Sequence, residues 1–182
     1  MSRLTRVMAI SLLSAACAGA PSRPAEPGTP VFGGLVRYHA APGWTRSPSS
    51  IWGDETVVLS SGTETTFRLH LRRGDPDKDD LVQGLKNAPW DAASGGPAGA
   101  AETIRVADAE YPLWRRASAG IREEPGQDPT YFSEAFCVVP LSDHFLVLVF
   151  ATSDARMPPS PAALAERESG WRAMLASLRV ER

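Results

Sequence analysis

A chain of 182 residues with a net charge of −2 has room for one folded domain and a short extension. Hydrophobic residues at 43% and charged residues at 22% suit a folded chain, and 19 Lys+Arg against 21 Asp+Glu exclude a strongly basic nucleic-acid binder. Two cysteines exclude a disulfide-dense scaffold.

Residues 1–16 read as a signal peptide. Arg3 and Arg6 form a positive start, Val7 to Leu13 is apolar apart from Ser11, and Ser14, Ala15 and Ala16 are small. The apolar run is far below the roughly 20 residues that span a bilayer core. Small residues ending in Cys17 resemble the bacterial lipobox, although Ser14 stands where that motif usually has Leu. The resemblance implies that Cys17 becomes the first mature residue and carries acyl chains such as palmitate. Ala18 in place of Asp then implies the outer membrane. Ordinary signal-peptidase cleavage at Ala16-Cys17-Ala18 is the alternative, and gives a periplasmic or secreted protein. Loss of Arg3 and Arg6 brings the net charge near −4, a poor match to anionic lipid or nucleic acid.

Residues 17–31 read as a tether outside the fold. Pro21, Pro24, Pro27 and Pro30 recur at every third position, the period of polyproline II. At about 3.1 Å per residue, such a segment holds a domain roughly 30 Å from a lipid surface.

Residues 32–182 read as one α+β domain. Gly34 to His39 alternates apolar and polar residues like a half-buried strand. Glu55 to Ser60 and Thr65 to Arg72 flank a Ser61-Gly62 turn and predict an antiparallel hairpin. Phe67, Leu69 and Leu71 fall on one face, and Arg68, His70 and Arg72 on the other. Lys78 to Lys86, preceded by Asp75-Pro76-Asp77, predicts a helix with Leu81, Val82 and Leu85 on one side. Residues 87–101 form a long Gly/Ala/Pro-rich loop, and such loops are either functional or disordered.

Glu102 to Val106 and Tyr111 to Ala117 predict a second strand pair. Tyr131 to Leu141 and His144 to Ala151 predict a third, joined by Ser142-Asp143. The last run is continuously apolar, as expected of a central strand covered on both faces. Ser160 and Pro161 then start a helix with a stripe of Leu164, Trp171, Met174, Leu175 and Leu178. Gly170 weakens it. Leu178-Arg179-Val180 is placed as an edge strand.

Tyr38 to Trp44 (Tyr-His-Ala-Ala-Pro-Gly-Trp), the hydrophobic hairpin from Phe132 to Thr152, and Trp171 to Val180 resemble, in that order, the PsbP-like and DcrB-like family. The resemblance implies an antiparallel twisted sheet flanked by helices. It implies a protein-binding or structural role and carries no catalytic signature or cofactor.

The remaining residues give chemistry little footing. Asp75, Asp77 and Asp79 open like a calcium loop, but Asp80 and Lys86 stand where that loop needs Gly and Glu, so a helix cap is the better reading. His39, His70 and His144 fall on three separate predicted strands without the local pairing of a zinc site. Asp143-His144 lacks a nucleophile on a sharp turn, which leaves a hydrolase as the remotest reading. Cys137, between Phe136 and Val138, reads as a small buried hydrophobe. Arg72-Arg73 and Arg115-Arg116 are placed as solvated strand ends. Trp90, and after it Trp52, fall near loops and are the candidate partner contacts.

The expectation is an exported, lipid-anchored, non-catalytic module of the bacterial envelope that binds a protein of unknown identity. It needs no metal or cofactor and contacts the membrane through its N-terminal lipid. The alternative is a small-ligand carrier with a pocket between sheet and helix.

Overall fold

The computed structural model describes residues 28–47, 55–73, 77–87, 98–122, 126–155 and 157–181. It is an α+β structure in which an antiparallel sheet dominates and two helices pack against it. Cys17, Trp52, Trp90 and the loop core of residues 88–97 lie outside the described residues.

The seven-stranded sheet holds strands β3 (Thr45–Arg46), β4 (Thr56–Ser61), β5 (Thr65–Arg73), β6 (Gly99–Val106), β7 (Ala109–Ile121), β8 (Thr130–Pro140) and β9 (His144–Ala155), in the order β3-β4-β5-β9-β8-β7-β6. Every neighbouring pair is antiparallel. The three predicted hairpins all form. The pairings of β5 with β9 and of β7 with β8 join them into one sheet.

Strand β9 is the middle strand. Leu146, Leu148 and Phe150 join one hydrophobic cluster, while Val147 and Val149 join another on the opposite face. Its unbroken apolar run is the chemical consequence of cover on both sides.

A second, three-stranded sheet has the order β1-β2-β10, with β1 (Thr29–Val31), β2 (Val36–Tyr38) and β10 (Arg179–Val180). The fold therefore begins earlier than residue 32. Thr29 to Val31, read from sequence as tether, pair with Val36 to Tyr38. Pro30 is tolerated because β1 is an edge strand, where its missing N–H removes no ladder bond. Strand β2 is shorter than predicted. Phe32, Gly33 and Gly34 have φ of 53°, 69° and 96°, a left-handed run that two glycines make accessible, and the strand starts only after it. His39 falls just beyond its end.

Helix α2 (Pro161–Ser177) covers one face of the large sheet. The Ser160 hydroxyl accepts a hydrogen bond from Ala163 N–H, and Pro161 occupies the first turn. Trp171, Met174 and Leu175 are fully buried, with the Trp171 ring stacked on Phe150 at 5.2 Å and edge-on to Phe67 at 6.2 Å. Gly170 has a packing reason. A Cβ there would lie 2.5 Å from Trp44 Nε1, so the glycine admits the Trp44 ring against the helix.

Helix α1 (Lys78–Asn87) packs on the opposite face. Asp77 supplies a cap, its carboxylate accepting from Asp79 N–H at 2.7 Å. Val82 and Leu85 bury themselves against Trp114, Phe136, Val138, Val147 and Val149.

Candidate functional site

Three segments far apart in sequence converge at one end of the molecule and leave an open cleft of about 520 Å³. One wall is the β6–β7 turn, Val106 to Ala109. A second is the end of β8 with the following turn, Val139 to Ser142. The third is β10 with Glu181, backed by Leu35. This volume falls in the range typical of ligand pockets, about 300–1,000 Å³.

The floor is apolar and half-exposed. Leu35, Tyr111 and Leu141 pack on the main core from below and face the opening above. The rim is polar, with Asp108, Ser142, Arg179 and Glu181 all exposed. Arg37 Nε lies 3.4 Å from Glu181 Oε1, an exposed pair that contributes little. The turn wall is strained. Ala107 has φ of 52°, and its N–H donates to the Leu175 carbonyl at 3.2 Å, which locks the turn to the end of α2.

Strand β10 gives the cleft a backbone wall. Glu181 N–H donates to the Leu35 carbonyl at 2.9 Å, and the register pairs Val180 with Val36. Antiparallel alternation then turns the Val180 N–H and C=O away from β2, towards the cleft that Val180 lines.

The sequence-derived candidates for chemistry are dispersed. The His144 ring (Nδ1) lies 2.5 Å from Asp143 Oδ1, and Ser142 Oγ donates to the same oxygen at 3.1 Å. Both neighbours hold the Asp143 carboxyl below its usual range, His144 first. Serine and histidine thus compete for one carboxylate oxygen instead of contacting each other, which is not a nucleophile–base arrangement. His70 is paired with Thr56 Oγ1 at 2.5 Å, and desolvation, helped by Arg72, drops its pKa to about 4. Cys137 is fully buried, and burial pushes its thiol up to about 12, the opposite of activation. Among the described residues, no three His, Cys, Asp or Glu side chains gather as a metal site. Trp44, Trp114 and Trp171 are all core residues.

Two expectations need correction. Arg115-Arg116 is not a solvated strand end. Arg115 donates to both oxygens of buried Glu168 and, at 2.6 Å, to Glu102, and these partners raise its pKa. The Arg116 side chain has no exposure, and its Nε lies 3.4 Å from Glu134 Oε2. Its guanidinium donates to the Leu85 carbonyl and, at 3.0 Å, to the Lys86 carbonyl, so it caps the C-terminus of α1. Likewise Arg68, on the face expected to be polar, is only 8% exposed.

The position of the opening also differs from the carrier alternative. Between α2 and the sheet the space is filled by Trp171, Phe67, Phe150, Met174 and Leu175, and the cleft lies at the sheet's end. Sequence reasoning missed the cleft because each wall alone looks like an ordinary turn or strand end. Only the β7–β8 pairing and the return of β10 beside β2 bring them together.

No family model matches the chain, and no curated protein matches it. Solved structures similar to it include the Ran-binding protein Mog1p of Saccharomyces cerevisiae, at 11% identity and a TM-score of 0.48, covering 84% of this chain and 93% of that one. A point variant of Mog1 gives 12% and 0.49, with 84% and 94% covered. A protein from Bacteroides thetaiotaomicron gives 13% and 0.48. It covers 85% of this chain, which spans 47% of that protein's length.

Proposed function

We propose that the protein is a lipid-anchored, non-catalytic module of the bacterial cell envelope, built on the PsbP-like and DcrB-like plan, that binds another protein at the cleft beside β10. The carrying observation is the cleft itself: a half-exposed apolar floor of Leu35, Tyr111 and Leu141 inside a polar rim. That pattern, an apolar centre with a hydrated edge, is the anatomy of a protein interface. The family plan is supported by the way two of its motifs meet, the Pro42-Gly43 turn presenting Trp44 to Gly170, next to Trp171.

Anchorage rests on Cys17 and its small-residue approach. Two or more acyl chains hold a protein at a bilayer, at about 0.8 kcal/mol per buried methylene. The Pro-rich segment then spaces the folded part from the lipid.

The test is recovery of the partner by the full acylated chain from membranes of the native host. Wild type and a Met157→Asp control, altered at an exposed side chain away from the cleft, recover the same specific protein, while Leu141→Asp does not. Equal recovery by all three contradicts binding at the cleft. Cys17→Ser releases the chain from the membrane fraction, and a variant that stays membrane-bound contradicts the anchor.

A further inference from the structure

We infer that the cleft takes its partner as an extended peptide segment, added antiparallel to β10 as a fourth strand of the small sheet. This rests on the protein-binding reading and specifies its chemistry. Three observations lead to it.

First, β10 is the outer strand of the order β1-β2-β10, and its register directs the Val180 N–H and C=O into the cleft. One donor and one acceptor, a strand spacing apart from any occupant, match the backbone of an extended segment. Second, the cleft continues sideways from that edge over Leu35, Tyr111 and Leu141. A strand on β10 points alternate side chains at this floor, so one residue of the segment is apolar. Third, the charged lining of the cleft is acidic on balance, with Asp108 and Glu181 against Arg179, which favours a basic residue in the segment. The occupant is therefore a segment of a partner protein with an apolar and a basic residue in extended backbone. Because β10 contributes only two backbone bonds, the apolar floor carries most of the affinity and the edge sets direction and register.

The experiment selects short peptides from a random display library on the full acylated chain in detergent, with Leu141→Asp as the counter-selection. The best peptide is then synthesised with its backbone amides N-methylated one at a time. Strand addition predicts that one N-methylated position weakens binding about tenfold while its two neighbours change it less than about threefold. Val180→Pro removes the donor that faces the cleft and leaves the Glu181–Leu35 bond to β2 intact, so it also weakens binding about tenfold. Circular dichroism that matches wild type shows that the variant folds.

A flat N-methylation profile overturns strand addition, and so does full binding by Val180→Pro. Enrichment of no peptide over the counter-selection overturns it too. If the host partner is still lost on Leu141→Asp in that case, the protein-binding reading stands and only the extended segment is wrong. A dimer in solution that Val180→Pro dissociates overturns it in favour of a second copy of this chain on β10.

Discussion

The two faces of the seven-stranded sheet are covered by different chemistry. Under α2 the contact is a continuous apolar layer of Trp171, Met174 and Leu175 on Phe67, Leu69, Leu148 and Phe150, and among the described residues its one buried charge is Glu168 at the edge of that layer. At the margins Arg167 grips Asp154 through two bonds of 2.6 and 2.7 Å, and Arg115 and Arg172 hold Glu168 and Glu102. Under α1 the apolar cluster is smaller, and Arg116, Glu134 and Arg68 are buried beside it. The first face stabilises the fold through area removed from water. The second fixes where α1 ends, because the Arg116 guanidinium binds both the Glu134 carboxylate and the last α1 carbonyls. A buried pair of this kind adds little net stability but is expensive to break from one side.

That contrast breaks most visibly at Trp171. Trp171→Ala should cost about 4 kcal/mol in a urea melt, with the loss of stacking on Phe150 and a cavity beside Phe67. On the other face, Arg116→Ala should cost about 3 kcal/mol by removing a buried ion-pair partner of Glu134 together with the bonds to the α1 carbonyls. Replacing both, as Arg116→Met with Glu134→Leu, should recover part of this. The remainder includes the lost bonds to the α1 carbonyls, and amide exchange in α1 should stay faster than in wild type. A double variant as weak as the single one would mean that the pair itself is not what costs.

Gly170→Ala tests the boundary of the α2 layer. Helix propensity alone favours alanine by about 1 kcal/mol, yet the new Cβ would meet Trp44 Nε1. The expected outcome is a net loss of about 1–2 kcal/mol, partly reversed by a smaller residue at position 44. Stabilisation instead would mean that the Trp44 contact is dispensable.

On the α1 side of the sheet, pH acts through His70, whose folded pKa of about 4 lies below its ordinary value of 6.5. The unfolded chain therefore takes up a proton first as pH falls. This contribution to stability is complete above about pH 6.5 and is lost as pH falls towards 4. His70→Gln should flatten the stability profile in that window, measured by denaturant midpoints. An unchanged slope would assign the drop to the carboxylates. The smallest effect is expected at the cleft turn, where Ala107→Gly relieves the left-handed backbone and should stabilise by about 1 kcal/mol.

How much of this was legible follows from which forces act locally. The continuous run of β9, the three hairpins and the Ser160-Pro161 start of α2 are written in local pattern and turn chemistry, and they form as read. Strand β1 was hidden by Pro30, which reads as tether and is tolerated only because the strand lies at an edge. The buried Arg116 was hidden because burial of a guanidinium depends on Glu134 and on α1 carbonyls, and no local spacing announces them. The cleft was hidden for the same reason: Val106 to Ala109, Val139 to Ser142 and Arg179 to Glu181 become neighbours only through long-range pairing.

The most direct measurement is photocrosslinking in the native host, from a photoreactive side chain at Ser142 on the cleft rim and, as comparison, at Gln83 on the exposed side of α1. Binding at the β10 cleft predicts an adduct with one envelope protein from position 142 and none from position 83. An adduct from position 83 alone, or none from position 142, would contradict it.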